Sequence, residues 1–140
     1  MKKKLLFLCT GNSCRSQMAE GIAKKLLSED IIIKSAGTEA QGVNANAIKV
    51  MADISIPISH HTSKKIDFKD LDNFDLIITL CGDAQDNCPT ILDNKHIHWE
   101  IEDPAKYKGT ERELIKKYSI IRDIIINKIK LLKTELEENN

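Results

Sequence analysis

The apolar run Leu5 to Leu8 breaks into the polar string Cys9-Thr10-Gly11-Asn12-Ser13-Cys14-Arg15-Ser16, after which apolar side chains return at a different period. The first run is short and unbroken, as in a strand buried on both faces. From Gln17 to Ser28, Met18, Ile22 and Leu26 recur every fourth residue with Ala19, Ala23 and Leu27 beside them, the spacing of a helix with one apolar side. A strand that gives way to a helix over so short a loop aims backbone N–H groups, and the positive end of the helix, at one small volume. An oxyanion of phosphate size suits that volume. Gly11 and Asn12 suit the tight or left-handed backbone that converging amides require.

The alternation continues along the chain. Ile31 to Ser35 is a short β-branched run ended by Ala36-Gly37-Thr38, and it reads as a second buried strand. Asn44 can cap a helix through Ala47, Ile48 and Met51, after which Pro57 imposes an extended stretch from Ile54 to Ser59. Asp75 to Cys81 is a third strand and His96 to Ile101 a shorter fourth. The last helix, roughly Thr110 to Leu136, carries Leu114, Tyr118, Ile121, Ile125, Ile129, Leu132 and Leu136 at intervals of three or four, and Ile120, Ile124 and Ile126 widen that stripe into a broad docking face. Alternating strands and helices predict an α/β fold: one domain over residues 1–140, with a four-stranded parallel sheet flanked by helices on both faces. In such a sheet the ligand site lies beyond the carboxyl ends of the strands, where Cys9, Cys81 and the Asp103 region all arrive.

Composition narrows the function classes. Twenty-one basic residues balance twenty-one acidic ones, so no global field recruits nucleic acid or an anionic membrane. Positive charge for an anionic substrate must be local, and Arg15 supplies it. The start Met1-Lys2-Lys3-Lys4-Leu5-Leu6-Phe7-Leu8-Cys9 imitates a signal sequence, but its apolar core falls short of the usual length of about 7 to 15 residues. No later run approaches a membrane span. The expectation is a cytoplasmic monomer whose four cysteines are catalytic, metal-binding or inert rather than a disulfide framework.

Within the first loop, Cys9 is the candidate nucleophile. A free thiol is mostly un-ionised at neutral pH and the thiolate is the reactive form, so the loop must activate it. Helix-terminus amides and the Arg15 guanidinium can do so, the planar fork of Arg15 can bind two oxygens of the anion, and Ser16 can donate a hydrogen bond to the sulfur. A cysteine and an arginine at this spacing are also compatible with a buried strand residue and a solvated charge. The whole string, with its flanking strand and helix, favours the cradle. It lacks the Gly-Lys-Ser/Thr ending of a nucleotide-binding loop, which argues against an ATPase.

The string Cys9 to Ser16, with Ser35-Ala36-Gly37-Thr38, resembles the low-molecular-weight protein tyrosine phosphatase superfamily over nearly the whole chain. The resemblance implies that Cys9 is the nucleophile, and that Thr10, Gly11, Asn12, Ser13, Cys14 and Arg15 bind the oxyanion. It makes Ser16 a thiolate stabiliser and Asp103, before Pro104, the general acid. Without it, Asp103 reads as an ordinary turn aspartate.

Cys81 and Cys88 divide the superfamily's branches. In one regular helix these thiols would lie about 10.5 Å apart along the axis, whereas a disulfide needs Cα atoms within roughly 4.4 to 6.8 Å. A Cys81–Cys88 bond therefore requires the segment to loop or unwind, which Gly82 and the weakly helix-forming run Asp83 to Asn87 make easy. The pattern resembles the thioredoxin-coupled arsenate reductases of the superfamily. That resemblance implies a relay: Cys9 attacks arsenate, Cys81 then Cys88 resolve the oxidised thiol, and thioredoxin is the external reductant with no bound cofactor. A two-electron reduction at a thiolate needs a resolving thiol, and passing the oxidation outward needs another. Ala105 stands where a phosphatase of this class offers an aromatic, and the shared loop predicts weak phosphatase activity.

Other readings stay open at this level. They are a low-molecular-weight phosphatase working through a Cys9 phosphocysteine, a non-enzymatic oxyanion sensor, and a zinc module of Cys81, Cys88, His96 and His98 whose spacing fits poorly. No metal is expected. Cys14 reads as a packing residue or an off-pathway redox partner, and His60 and His61 as surface loop residues. Some of the resembled reductases hold a monovalent cation through positions matching Asn12, Glu20, Ser35 and Lys64 here. The Lys64 ammonium is expected to take the cation's place against Glu20, with no bound potassium.

Overall fold

The computed structural model describes residues 3–81 and 95–138. Cys88 and the run Gly82 to Asn87 lie outside the described residues. Four strands, β1 (Lys3–Cys9), β2 (Ile31–Gly37), β3 (Leu76–Cys81) and β4 (His96–Glu100), form one parallel sheet in the order β2-β1-β3-β4. The chain leaves β1 in one direction to reach β2 and returns past it to β3, so the winding reverses between β1 and β3. A crevice at the carboxyl ends of those two strands is what such a reversal creates, and β1 ends at Cys9 while β3 ends at Cys81. The registers Leu8↔Thr79 and Cys9↔Gly37 bring both ends to one edge of the sheet.

Alternation along β1 explains why its sequence is apolar throughout. Leu5 and Phe7 face a large cluster with Ile33, Ile78 and Leu80, and Leu6 and Leu8 face a smaller one with Ala36, Ile66 and Ile77. The helices α1 (Arg15–Leu26), α2 (Ala45–Ala52) and α3 (Glu111–Glu138) all bury their apolar sides in the large cluster. The opposite face is packed by Leu71, Phe74 and Ile66 around a 3-10 turn at Phe68–Asn73 that sequence periodicity did not anticipate. Helical structure thus lies on both faces, unequally.

Helix α1 begins at Arg15, two residues earlier than its periodicity predicts, and its first turn has no side-chain cap. Asn44 caps α2 as expected, accepting from the N–H groups of Asn46 and Ala47. On α3, Tyr118, Ile121, Ile125, Ile129 and Leu132 are buried and Ile126 packs beside them, but Ile120 and Ile124 are exposed. The docking face is therefore narrower than the sequence suggests, because two shorter helices and a sheet edge cannot cover a stripe so wide. Among the described residues no helix is long and apolar enough to cross a membrane.

Candidate active site

A cleft of about 250 Å³ opens where β1 gives way to α1, lined by Cys9, Thr10, Gly11, Ser13, Cys14 and Arg15, and on the far side by Gln41, Asp103, Ala105 and Lys106. The carbonyls of the loop are turned away from it. Thr38 N–H donates to the Cys9 carbonyl, Glu39 to Thr10, Gln41 to Gly11 and Asn44 to Ser13. With those acceptors engaged by the segment after β2, the loop can turn N–H groups toward the cleft, the arrangement an anion cradle requires. This close approach requires glycine at position 37, where a Cβ would lie 2.6 Å from the Asn12 nitrogen and from the Thr10 oxygen.

Cys9 is a free, buried thiol whose Sγ lies 2.8 Å from Ser16 Oγ. Asn12 Nδ2 donates to that same Oγ at 2.9 Å, so the Ser16 oxygen is already an acceptor and its proton is free to point at the sulfur. Asn12 adopts φ 46, the left-handed backbone anticipated for it. Its side chain is fully buried and does not line the cleft. Nδ2 also donates to Ser35 Oγ at 3.0 Å, and Oδ1 accepts from Lys64 N and Gln17 Nε2. Asn12 therefore holds the loop's shape, while Thr10, Gly11, Ser13, Cys14 and Arg15 form its wall.

Arg15, 3% exposed, donates through Nη1 to the Ile101 carbonyl at 2.9 Å, and its Nη2 lies 3.7 Å from Asp103 Oδ2. Asp103 Oδ1 accepts from Ala105 N, capping a 3-10 turn at Pro104–Lys106. The turn aspartate and the candidate acid are the same residue: one oxygen is spent on the cap, and the other faces the guanidinium at the cleft. Burial pushes the Cys14 thiol well up, with Asp103 and Cys9 acting in the same direction. Cys14 is accordingly kept as a packed, protonated thiol.

Cys81 is buried at the end of β3 and is disulfide-bonded, whereas Cys9 and Cys14 are free. It follows Thr79 by two residues, and Thr79 pairs with Leu8, so Cys9 and Cys81 end neighbouring strands spaced about 4.8 Å apart. His96 and His98 converge on the Thr79 hydroxyl at 2.8 and 2.7 Å. Among the described residues no cluster of three or more His, Cys, Asp or Glu is arranged to hold a metal.

Two expectations are corrected. The Lys64 ammonium does not face Glu20; it is exposed and donates to the Thr62 carbonyl, while the backbone N–H of Lys64 serves Asn12. Lys24, one helical turn along α1, occupies that role at 2.6 Å from Glu20 Oε2. Burial of Glu20 favours its neutral form, but hydrogen bonds from Lys24 and Ser35 outweigh it and hold the carboxyl below its ordinary range. His61, expected at the surface, is only 7% exposed in its side chain, with Nδ1 2.9 Å from Gln17 Oε1 and 3.9 Å from Glu20 Oε2. Neither burial is visible in sequence, because both depend on the loop at 61–65 folding back over α1.

Burial holds the His61 imidazole below its ordinary value of 6.5 despite the pull of Glu20. The unfolded chain then takes up this proton more readily than the folded one, so stability declines as pH falls through about 6.5 toward the lowered folded value. Urea midpoints measured between pH 7.5 and 5 are expected to show that decline, and His61→Gln, which keeps a polar side chain beside Gln17, is expected to flatten it.

Known proteins share this geometry and much of its sequence. The family model described as low molecular weight phosphotyrosine protein phosphatase matches residues 4–140. A protein of Oceanobacillus iheyensis named arsenate reductase is 51% identical over 131 residues, covering 93% of this chain and 94% of its own. A solved structure described as an arsenate reductase in the phosphate binding state superposes with a TM-score of 0.78 at 32% identity, covering 95% of this chain and 98% of that one. The low molecular weight protein tyrosine phosphatase from T. tengcongensis gives 0.77 at 26% identity, covering 96% and 99%. With its cradle, its sheet order and these matches in agreement, the chain belongs to the low-molecular-weight phosphotyrosine protein phosphatase family.

Proposed function

We propose that the protein reduces arsenate to arsenite through Cys9, Cys81 and Cys88, with thioredoxin as the reductant, and so serves arsenic detoxification in the cytoplasm as a monomer. The observation that carries this reading is the pairing of a free Cys9 in the oxyanion loop with a disulfide-bonded Cys81 at the end of the neighbouring strand. A phosphatase has no use for the second thiol, since phosphorus is not reduced. The relatives named arsenate reductase at about half identity support the same substrate.

In the proposed cycle the Cys9 thiolate forms a bond to arsenic and one arsenate oxygen leaves as water, its proton given by Asp103. The Cys81 thiolate then bonds to the Cys9 sulfur. The sulfur–arsenic bond breaks with its electron pair left on arsenic, arsenite departs, and a Cys9–Cys81 disulfide remains. Cys88 attacks Cys81 next, releasing Cys9 as a thiolate and moving the disulfide outward. A thioredoxin dithiol returns both thiols to the reduced state. Cys81 bonded with Cys9 free is the condition this cycle reaches just before thioredoxin acts.

The test is NADPH oxidation with thioredoxin, thioredoxin reductase and arsenate. Arsenate-dependent oxidation that stops when thioredoxin is omitted is the expected outcome. Turnover of p-nitrophenyl phosphate with no arsenate-dependent oxidation would replace this reading with the phosphatase. Protection of Cys9 from alkylation by arsenate, without turnover of either compound, would replace it with the sensor.

A further inference from the structure

Asn44 stands at a three-way junction behind the oxyanion loop. Its N–H donates to the Ser13 carbonyl at 2.9 Å, and its Oδ1 accepts from Asn46 N and Ala47 N at 2.8 and 3.1 Å, capping α2. Its Nδ2 donates at 3.1 Å to the hydroxyl of Tyr118, a residue 2% exposed near the start of α3. Capping accounts for Oδ1, and serine or aspartate would cap equally well. It does not account for the amide nitrogen, which spans from the cap to the longest helix of the fold.

Ser13 is part of the cleft wall, and it has one backbone tether to the segment after β2, through Asn44. We propose that Tyr118 and Asn44 form a positioning pair for the oxyanion loop: the Tyr118 hydroxyl fixes the Asn44 side chain, Asn44 keeps the Ser13 carbonyl turned out of the cleft, and the amides around Ser13 stay aimed at the bound anion. Neither residue lines the cleft, so their effect is on how well the cradle is preformed. A preformed site binds its anion without first being ordered. Burial pushes the Tyr118 phenol up, so it stays protonated and neutral over the working range. The pair rests only on Cys9 to Ser16 being an oxyanion loop, whichever reaction that loop serves.

The test reads binding directly, as the inorganic phosphate concentration that half-protects Cys9 from iodoacetamide in the full chain. Tyr118→Phe removes the hydroxyl and keeps the ring in the core, and Asn44→Ser keeps the α2 cap and cannot reach Tyr118. Each is expected to weaken phosphate protection about two- to tenfold, the worth of one hydrogen bond, and the double variant to be no weaker than the weaker single. Asn44→Asp is expected to restore affinity, because its second carboxylate oxygen can accept from the Tyr118 hydroxyl, and to restore nothing in the Tyr118→Phe background. Phosphate affinity unchanged by Tyr118→Phe, or single effects that multiply in the double, would overturn the proposal. Because the readout needs no arsenate turnover, its failure is distinct from failure of the reductase reading.

Discussion

Changing Cys9 to serine is expected to abolish arsenate reduction, and changing Cys81 or Cys88 to stop it at two later and different points. Serine at position 9 is a neutral hydroxyl at working pH, and the cradle of Ser16 and loop amides cannot make it a competent nucleophile toward arsenic. Cys81→Ser leaves the first thiol able to bond arsenic with no neighbour to take its sulfur, so steady-state NADPH oxidation should fall to background. Cys88→Ser should release one arsenite per protein molecule and then stall with Cys9 and Cys81 joined, a species that mass spectrometry of the alkylated, protease-digested protein identifies. Sustained multiple turnover by Cys88→Ser at the wild-type rate would remove Cys88 from the cycle. The distinction matters because Cys9 and Cys81 end adjacent strands. In the proposed cycle the first transfer links the ends of neighbouring strands, and the second passes to a thiol seven residues further along the chain.

The second large effect is expected from Gly37→Ala. Its new methyl would meet the Asn12 nitrogen at 2.6 Å, the Thr10 oxygen at 2.6 Å and the Glu39 oxygen at 2.7 Å. All are backbone atoms, so no side chain can swing aside. Overpacking of this kind costs about 1–3 kcal/mol or more, and relief can come only by moving the oxyanion loop away from the segment that holds its carbonyls. Activity and phosphate protection of Cys9 should both fall by more than an order of magnitude, with a lowered thermal midpoint. Gly42→Ala is the control. Gly42 has φ +85, and a methyl there would find nothing within 4 Å, so alanine carries backbone strain of about 1–2 kcal/mol and should leave phosphate protection intact. Equal losses of affinity in the two variants would mean that general destabilisation, not the close approach at position 37, is responsible.

The parts of this molecule that sequence reveals are those written in side-chain type and period. The apolar run of β1, the Asn44 cap, the buried stripe of α3 and the arrival of the strands ending at Cys9 and Cys81 at one sheet edge all follow from residues read in order. What sequence hides is carried by contacts between distant segments. His61 against Glu20 requires knowing that the loop after α2 returns over α1. Gln41 and Lys106 line the cleft, yet each is an exposed polar residue with no pattern around it. The 3-10 turn at Phe68–Asn73 is too short to leave a period. The bonds from Thr38, Glu39, Gln41 and Asn44 to the loop carbonyls are made by main-chain N–H groups that any residue but proline would offer.

Such main-chain bonds leave the scaffold free to diversify at its rim. Glu39 and Gln41 hold the loop through their backbone N–H groups, and their exposed side chains and that of Ala40 are not the groups that make those bonds. A lineage or a library can exchange them, excluding proline at 39 and 41, and repaint the mouth of the cleft without disturbing the machinery that captures the anion. Selectivity and capture are thereby on separate genetic dials, which is how one small cradle can be shared among enzymes that treat its contents so differently.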